Sequence, residues 1–203
     1  MKNQNISIQE YLSIGYIFLL FVGIVYQSIF YSFFSINILS YSSLLDVLLS
    51  PISVISENLT FLGTLVVFVI FGIYFVKVLG PKLYQWQRKQ AWYRKIFNVE
   101  KWDRFHAKAQ ENSNTGALIY ACMLVLAIFI GSGVGGGGKL SQKMQHKELK
   151  SGHNVVFEDS ETLDIKIIGQ NTLYLFYVID GEDKLSVSPI EGNIKKITML
   201  KSK

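Results

Sequence analysis

The chain has 203 residues, half of them hydrophobic, with 14 Phe, 11 Tyr and a net charge of +5. That exceeds the apolar and aromatic content a single water-soluble domain needs, and the lone Cys122 excludes an intrachain disulfide and a cysteine-based metal cluster. The charges are also segregated. None occurs from Tyr11 to Leu45, from Asn58 to Val76 or from Asn112 to Gly138. Three such windows predict three membrane crossings, because about 20 helical residues span the hydrocarbon core.

The first crossing is expected over about 12–34, as an uncleaved anchor, since no small-residue cleavage pattern follows a short apolar core. Its polar residues Gln27 and Ser28 are candidates for lining a pore. The plainer reading is hydrogen bonding to a neighbouring helix. Ser43-Leu-Leu-Asp46 then reads as a capping box that opens a short apolar helix over 43–50, stopped by Pro51. About seven residues cover only about 10 Å, so this helix is expected to lie in the interface or to dip in and return. In a channel, Asp46 and Glu57 would sit at its mouth and attract cations. Otherwise Asp46 simply caps its own helix and Glu57 is solvated.

The second crossing, about 59–80, is rich in Val, Ile and Phe and is expected to break at Gly80-Pro81. A basic segment follows. Between Lys77 and Lys108 lie nine of the twenty Lys and Arg residues and all three tryptophans. Such density beside apolar runs marks a cytoplasmic loop, here 81–115, because translocating Lys and Arg is disfavoured. Leu83, Trp86, Tyr93 and Phe97 fall near one helical face, which predicts an amphipathic helix. Arg88, Lys89, Trp92, Arg94, Lys95 and Trp102 are its candidate contacts with an anionic leaflet. The same residues suit nucleic acid, but the juxtamembrane position favours lipid.

The third crossing, about 116–136, has a strictly apolar part of only 14 residues, Ala117 to Ile130, so a re-entrant course stays open. Its glycine-dense end, with Gly131, Gly133 and Gly135, is expected to pack helices closely or to act as a hinge. Gly133 to Leu140 is close to a phosphate-binding loop. However, Leu140 stands where Ser or Thr must hold magnesium, and too few residues follow to build a parallel α/β sheet.

A linker over 139–152 leads to a small β domain, 153–203, with strands read at NVVF, LDIKIIG, TLYLFYVI, KLSVS and IKKITML. LYLFYVI is apolar on both faces and is expected inside the sheet, while Pro189 marks an edge. The predicted fold is therefore a membrane all-α part, three transmembrane helices plus a short interfacial or re-entrant helix, followed by a small all-β barrel or meander.

Phe33 to Pro51, FFSINILSYSSLLDVLLSP, resembles a pattern in small bacterial polytopic membrane proteins with a short β tail. The resemblance implies a membrane subunit of an envelope or anti-phage defence assembly. It supplies no catalytic residue.

With no ligand-spaced histidines and no nucleophilic triad, neither enzyme nor cofactor is expected. The expected function is a non-enzymatic, oligomerising membrane scaffold or sensor, and the competing one an ion channel lined by the first crossing and the 43–51 segment. Expected partners are anionic lipid, further copies of the chain, and a protein partner at the β tail or the loop. Charge counting places the N-terminus and the 81–115 loop inside a bacterial inner membrane, with the β tail outside if the third segment spans.

Overall fold

The computed structural model describes residues 7–90, 102–104, 107 and 113–200. Three of its helices are long and apolar enough to cross a membrane. Helix α1 (Ile8–Ser32) opens on a Ser7/Glu10 capping box. A 3-10 turn (Ile38–Ser40) leads into α2 (Leu44–Glu57). Helix α3 (Leu59–Tyr74) continues through a π turn (Phe75–Leu79) into α4 (Gly80–Arg88), and α5 (Ser113–Gln145) follows. A five-stranded antiparallel sheet closes the chain: β1 (His153–Phe157), β2 (Thr162–Gln170), β3 (Tyr174–Ile179), β4 (Ser186–Pro189) and β5 (Ile194–Met199), ordered β4-β3-β2-β1-β5.

Several expectations need correction. Pro51 does not stop α2, which runs for 14 residues, about 21 Å. A proline inside a helix strips the hydrogen bond from the carbonyl four residues earlier. Here that carbonyl belongs to Val47, and it lies directly against Gly23 of α1, where a Cβ would collide with it. Gly80-Pro81 is not a break either. Pro81 sits in the first turn of α4, where its missing N–H is cheap, and the π turn has already shifted the bonding so that Gly80 N–H donates to the Phe75 carbonyl.

The glycine run is no hinge. Gly131 to Gly138 are all helical, and α5 extends to Gln145, through the first half of the expected linker. At 33 residues, about 50 Å, α5 is long enough to span an apolar layer of about 30 Å, which the 14-residue apolar count alone left open. Helical glycines also lack the loop geometry a phosphate cradle requires.

The chain forms two compact units. One contains 55–128. Within it Gly72 lets α3 approach α5 at Tyr120 and Leu124, and Lys77 Nζ donates to Asn114 Oδ1 at 2.8 Å, so these stretches run antiparallel. The other joins 1–54 to 129–203. There α5 packs along α1 through small residues: Gly133 against Tyr26 and Ile29, Gly137 against Phe30 and Phe33, and Ser141, whose hydroxyl donates to the Phe33 carbonyl at 2.9 Å. The positions rise together, so α1 and α5 are parallel. Gly133, Gly137 and Ser141, four apart, form a small-residue stripe of the kind that lets membrane helices touch backbone to backbone. Gly131 and Gly135, named above as packing residues, face open space instead.

The sheet buries apolar side chains on both faces. Val155, Phe157, Ile165, Leu175 and Tyr177 form a core of its own, and the opposite face carries Phe176 and Val178 to the end of α1. That double burial explains the unbroken apolar run of β3, as expected for an interior strand. The left-handed turns at Gly181 and Gly192 use the one residue type that adopts positive φ freely.

Candidate docking site for the β domain

The site is built where α1 ends. Its buried face, Gly23, Gln27 and Tyr31, continues into Phe34 and Ile38 after the helix terminates. Phe176 of β3, fully buried, inserts among Tyr31, Ile38 and Tyr41, its ring 5.1 Å from that of Tyr31 and 6.0 Å, edge-on, from Tyr41. Tyr174 adds a second edge-on contact with Tyr41 at 5.3 Å. Burying a Phe side chain contributes about 2–3 kcal/mol and each well-placed aromatic pair about 0.5–1.5 more. Beside them Val178 packs with Phe34 of the loop and Met144 of α5. The hydroxyl of Tyr31 reaches the backbone of Gly169, where the β2–β3 pairing shifts register. A side chain at 169 would occupy the space of that hydroxyl.

Polar contacts fix the register of this packing. Asn171, in the turn between β2 and β3, accepts from the N–H groups of Leu173 and Tyr174 and donates from Nδ2 to the Tyr41 carbonyl at 2.9 Å. Asp46 uses one carboxylate oxygen for its own helix, accepting from Ser43 N–H (2.9 Å) and Oγ (2.6 Å). The other oxygen accepts from Thr172 N–H (3.1 Å) and Oγ1 (2.5 Å). Partial burial pushes the Asp46 carboxyl up, but the hydrogen bonds from Ser43 and Thr172 outweigh it and hold the group below its ordinary value. The capping box predicted at Ser43 and Asp46 is present, and it doubles as a latch to the β domain, 126 residues away in sequence.

No family model, curated protein or solved structure matches the chain. What the site does is therefore read from its own geometry.

The remaining candidate residues fall in separate places. Gln27 is 9% exposed, and its Oε1 has no hydrogen-bond partner; Ser50 Oγ, near Gly23, is equally unpartnered. Ser28 is half-buried and Glu57 is exposed at the end of α2. Of the candidate lipid contacts, Arg88 pairs with Asp103 at 3.0 Å, and the buried Tyr84 donates to the same carboxylate at 2.6 Å, so Asp103 ties the helical 102–104 segment to α4. Lys89, Trp86 and Trp102 are exposed. Trp92, Arg94 and Lys95 lie outside the described residues. Among the described residues no three His, Cys, Asp or Glu side chains converge as metal ligands.

Sequence reading missed the docking role of the Phe33 to Asp46 stretch. The signal was there in its apolar spacing, Phe34, Ile38 and Tyr41, outside any helix long enough to bury it. Its partner, Phe176, could not be read because the contact joins residues more than a hundred positions apart.

Proposed function

We propose that the protein is a non-enzymatic integral membrane subunit that oligomerises and carries its β domain as a fixed extension of its membrane helices. The observation that carries the reading is the parallel pairing of α1 with α5, with the sheet latched across their common end by Phe176, Asp46 and Thr172. Two parallel helices of spanning length enter from one side and leave on the other. The N-terminus and the basic 81–115 segment then share the cytoplasmic side of a bacterial inner membrane, and the β domain faces outward. The 33-residue length of α5 supports a full crossing over a re-entrant course. On the inner surface, the exposed Lys89, Trp86 and Trp102 contact anionic lipid.

Cysteine labelling tests the layout. With Cys122→Ser as background, Asp183→Cys is expected to react with a membrane-impermeant maleimide in intact cells, and Arg94→Cys only after permeabilisation. The reverse pattern would overturn the reading.

A second reading, an oligomeric ion channel lined by α1 and the 43–51 segment, draws on the unpartnered Gln27 Oε1 and Ser50 Oγ, polar atoms in apolar surroundings. It requires that purified protein in planar bilayers pass current and that Gln27→Leu change the conductance. Silent bilayers remove it.

A further inference from the structure

Orphaned polar atoms concentrate where α1 and α2 meet. Among the described residues, four buried side-chain polar atoms have no hydrogen-bond partner, and three of them, Gln27 Oε1, Ser42 Oγ and Ser50 Oγ, lie between positions 27 and 50. The Val47 carbonyl, which Pro51 releases from its own helix, lies against the bare Cα of Gly23, and Ser50 Oγ stands 3.2 Å from where a Cβ at that position would lie. Both oxygens thus border the space that a side chain at 23 would fill. Gln27 follows one turn later on the same buried face, where Cβ atoms are about 5–6 Å apart. Long helical side chains lean back over the preceding turn, which carries the Gln27 amide toward Gly23. Gln27 is only 9% exposed.

This setting makes unpaired oxygens costly. No charged residue occurs from Tyr11 to Leu45, and α1 has the length and apolarity of a membrane span, so bulk water is not at hand to satisfy them. A carbonyl can only accept, so its partner is electropositive, and the absence of nitrogen and sulfur ligands disfavours a transition metal. A divalent ion calls for carboxylate ligands, but the one nearest along α2, Asp46, is taken up by Ser43 and Thr172. Its negative charge, one residue before Val47, still favours a cation in the notch. We infer that the α1–α2 notch binds one monovalent alkali cation through the Val47 carbonyl, Gln27 Oε1 and Ser50 Oγ. Freed main-chain carbonyls serve such ions in the same way where membrane helices are interrupted. Occupancy reaches the β domain: a cation that fixes the Val47 carbonyl also fixes the first turn of α2, whose Asp46 carboxylate Thr172 grips. The site goes beyond the scaffold reading and needs neither oligomerisation nor conduction.

The test uses full-length protein in detergent and follows hydrogen exchange of the 47–50 amides in chloride salts of equal ionic strength. Sodium or potassium, at about ten times its dissociation constant, is expected to slow that exchange about tenfold relative to N-methyl-D-glucamine, a cation too bulky for the notch. The 171–174 amides slow with them. Ser50→Ala, Gln27→Leu and Pro51→Ala each abolish the difference between the salts, by deleting an oxygen or by returning the carbonyl to its own helix. Ser53→Ala, which removes an exposed hydroxyl bonded to the Leu49 carbonyl, keeps it. Should Gln27→Leu not fold, Ser50→Ala, which deletes a single oxygen, carries the test. Equal exchange in all three salts means that the notch holds water only and overturns the proposal. A difference that persists in both Ser50→Ala and Pro51→Ala places the ion elsewhere and overturns it as well.

Discussion

Two alanine substitutions only two positions apart in one glycine run are expected to act in opposite directions. At Gly137 a Cβ would stand 2.7 Å from both the Phe30 carbonyl oxygen and the Phe33 ring, and 3.2 Å from the Phe30 Cα. Ordinary contact begins at 3.4 Å, so α1 and α5 must separate by about 0.7 Å, and two of the three obstacles are backbone atoms that cannot swing aside. Overpacking of this kind costs about 1–3 kcal/mol. At Gly135 nothing lies within 4 Å, so alanine there meets no obstacle and gains the helix preference of about 1 kcal/mol. That preference is common to both sites. The difference between Gly135→Ala and Gly137→Ala therefore isolates helix packing, at about 1–3 kcal/mol against Gly137→Ala. Unfolding of each variant by SDS in mixed micelles, followed by circular dichroism, reads it directly. Equal midpoints, or a less stable Gly135→Ala, would refute the parallel α1–α5 contact.

A double-mutant cycle between Asp46→Ala and Thr172→Ala, read by hydrogen exchange of the 171–174 amides, should yield a coupling of about 0.5–1 kcal/mol, discounted because the pair is partly solvated. A coupling of zero would dissolve the latch. Since Asp46 titrates below its ordinary value of 3.8 when folded, its contribution is complete above that value and is lost as the pH falls through the lower, folded one. Protection of the same amides should therefore drop on acidification below about pH 4, the unfolded Asp range, and Asp46→Asn should flatten that dependence. Gly169→Ala should loosen the β domain by driving a Cβ into the Tyr31 hydroxyl; adding Tyr31→Phe should recover stability, because the nearest ring carbon stands at 3.4 Å. Failure of that rescue would place the strain elsewhere.

Local patterns were legible in the sequence and distant ones were not. The three apolar helices follow from charge-free windows, and all five strands from alternation and turn residues, because each signal lies within one segment. Ser43 and Asp46 could be read as a capping box for the same reason, but Thr172 could not be paired with them. The proline rules gave the wrong ends for α2 and α3, since they describe an isolated helix. At Pro51 a neighbouring helix takes up the freed carbonyl, and before Pro81 a π turn adjusts the ladder. Glycine density suggested close helix contact, yet only the four-residue spacing of Gly133, Gly137 and Ser141 distinguishes the residues that touch α1 from Gly131 and Gly135, which do not.

The collision course between Gly23 and the Val47 oxygen has a further implication for how this hairpin tolerates change. Pro51 liberates an acceptor in one helix, and the bare α-carbon of Gly23 gives it somewhere to rest, through a weak Cα–H contact. The two positions thus behave as halves of a single device although 28 residues separate them. Restoring an N–H at position 51 would call the oxygen back into its own helix and leave the first helix facing an empty notch. A chain that loses either half gains by losing the other as well, so substitutions at 23 and 51 should prove more tolerable together than apart.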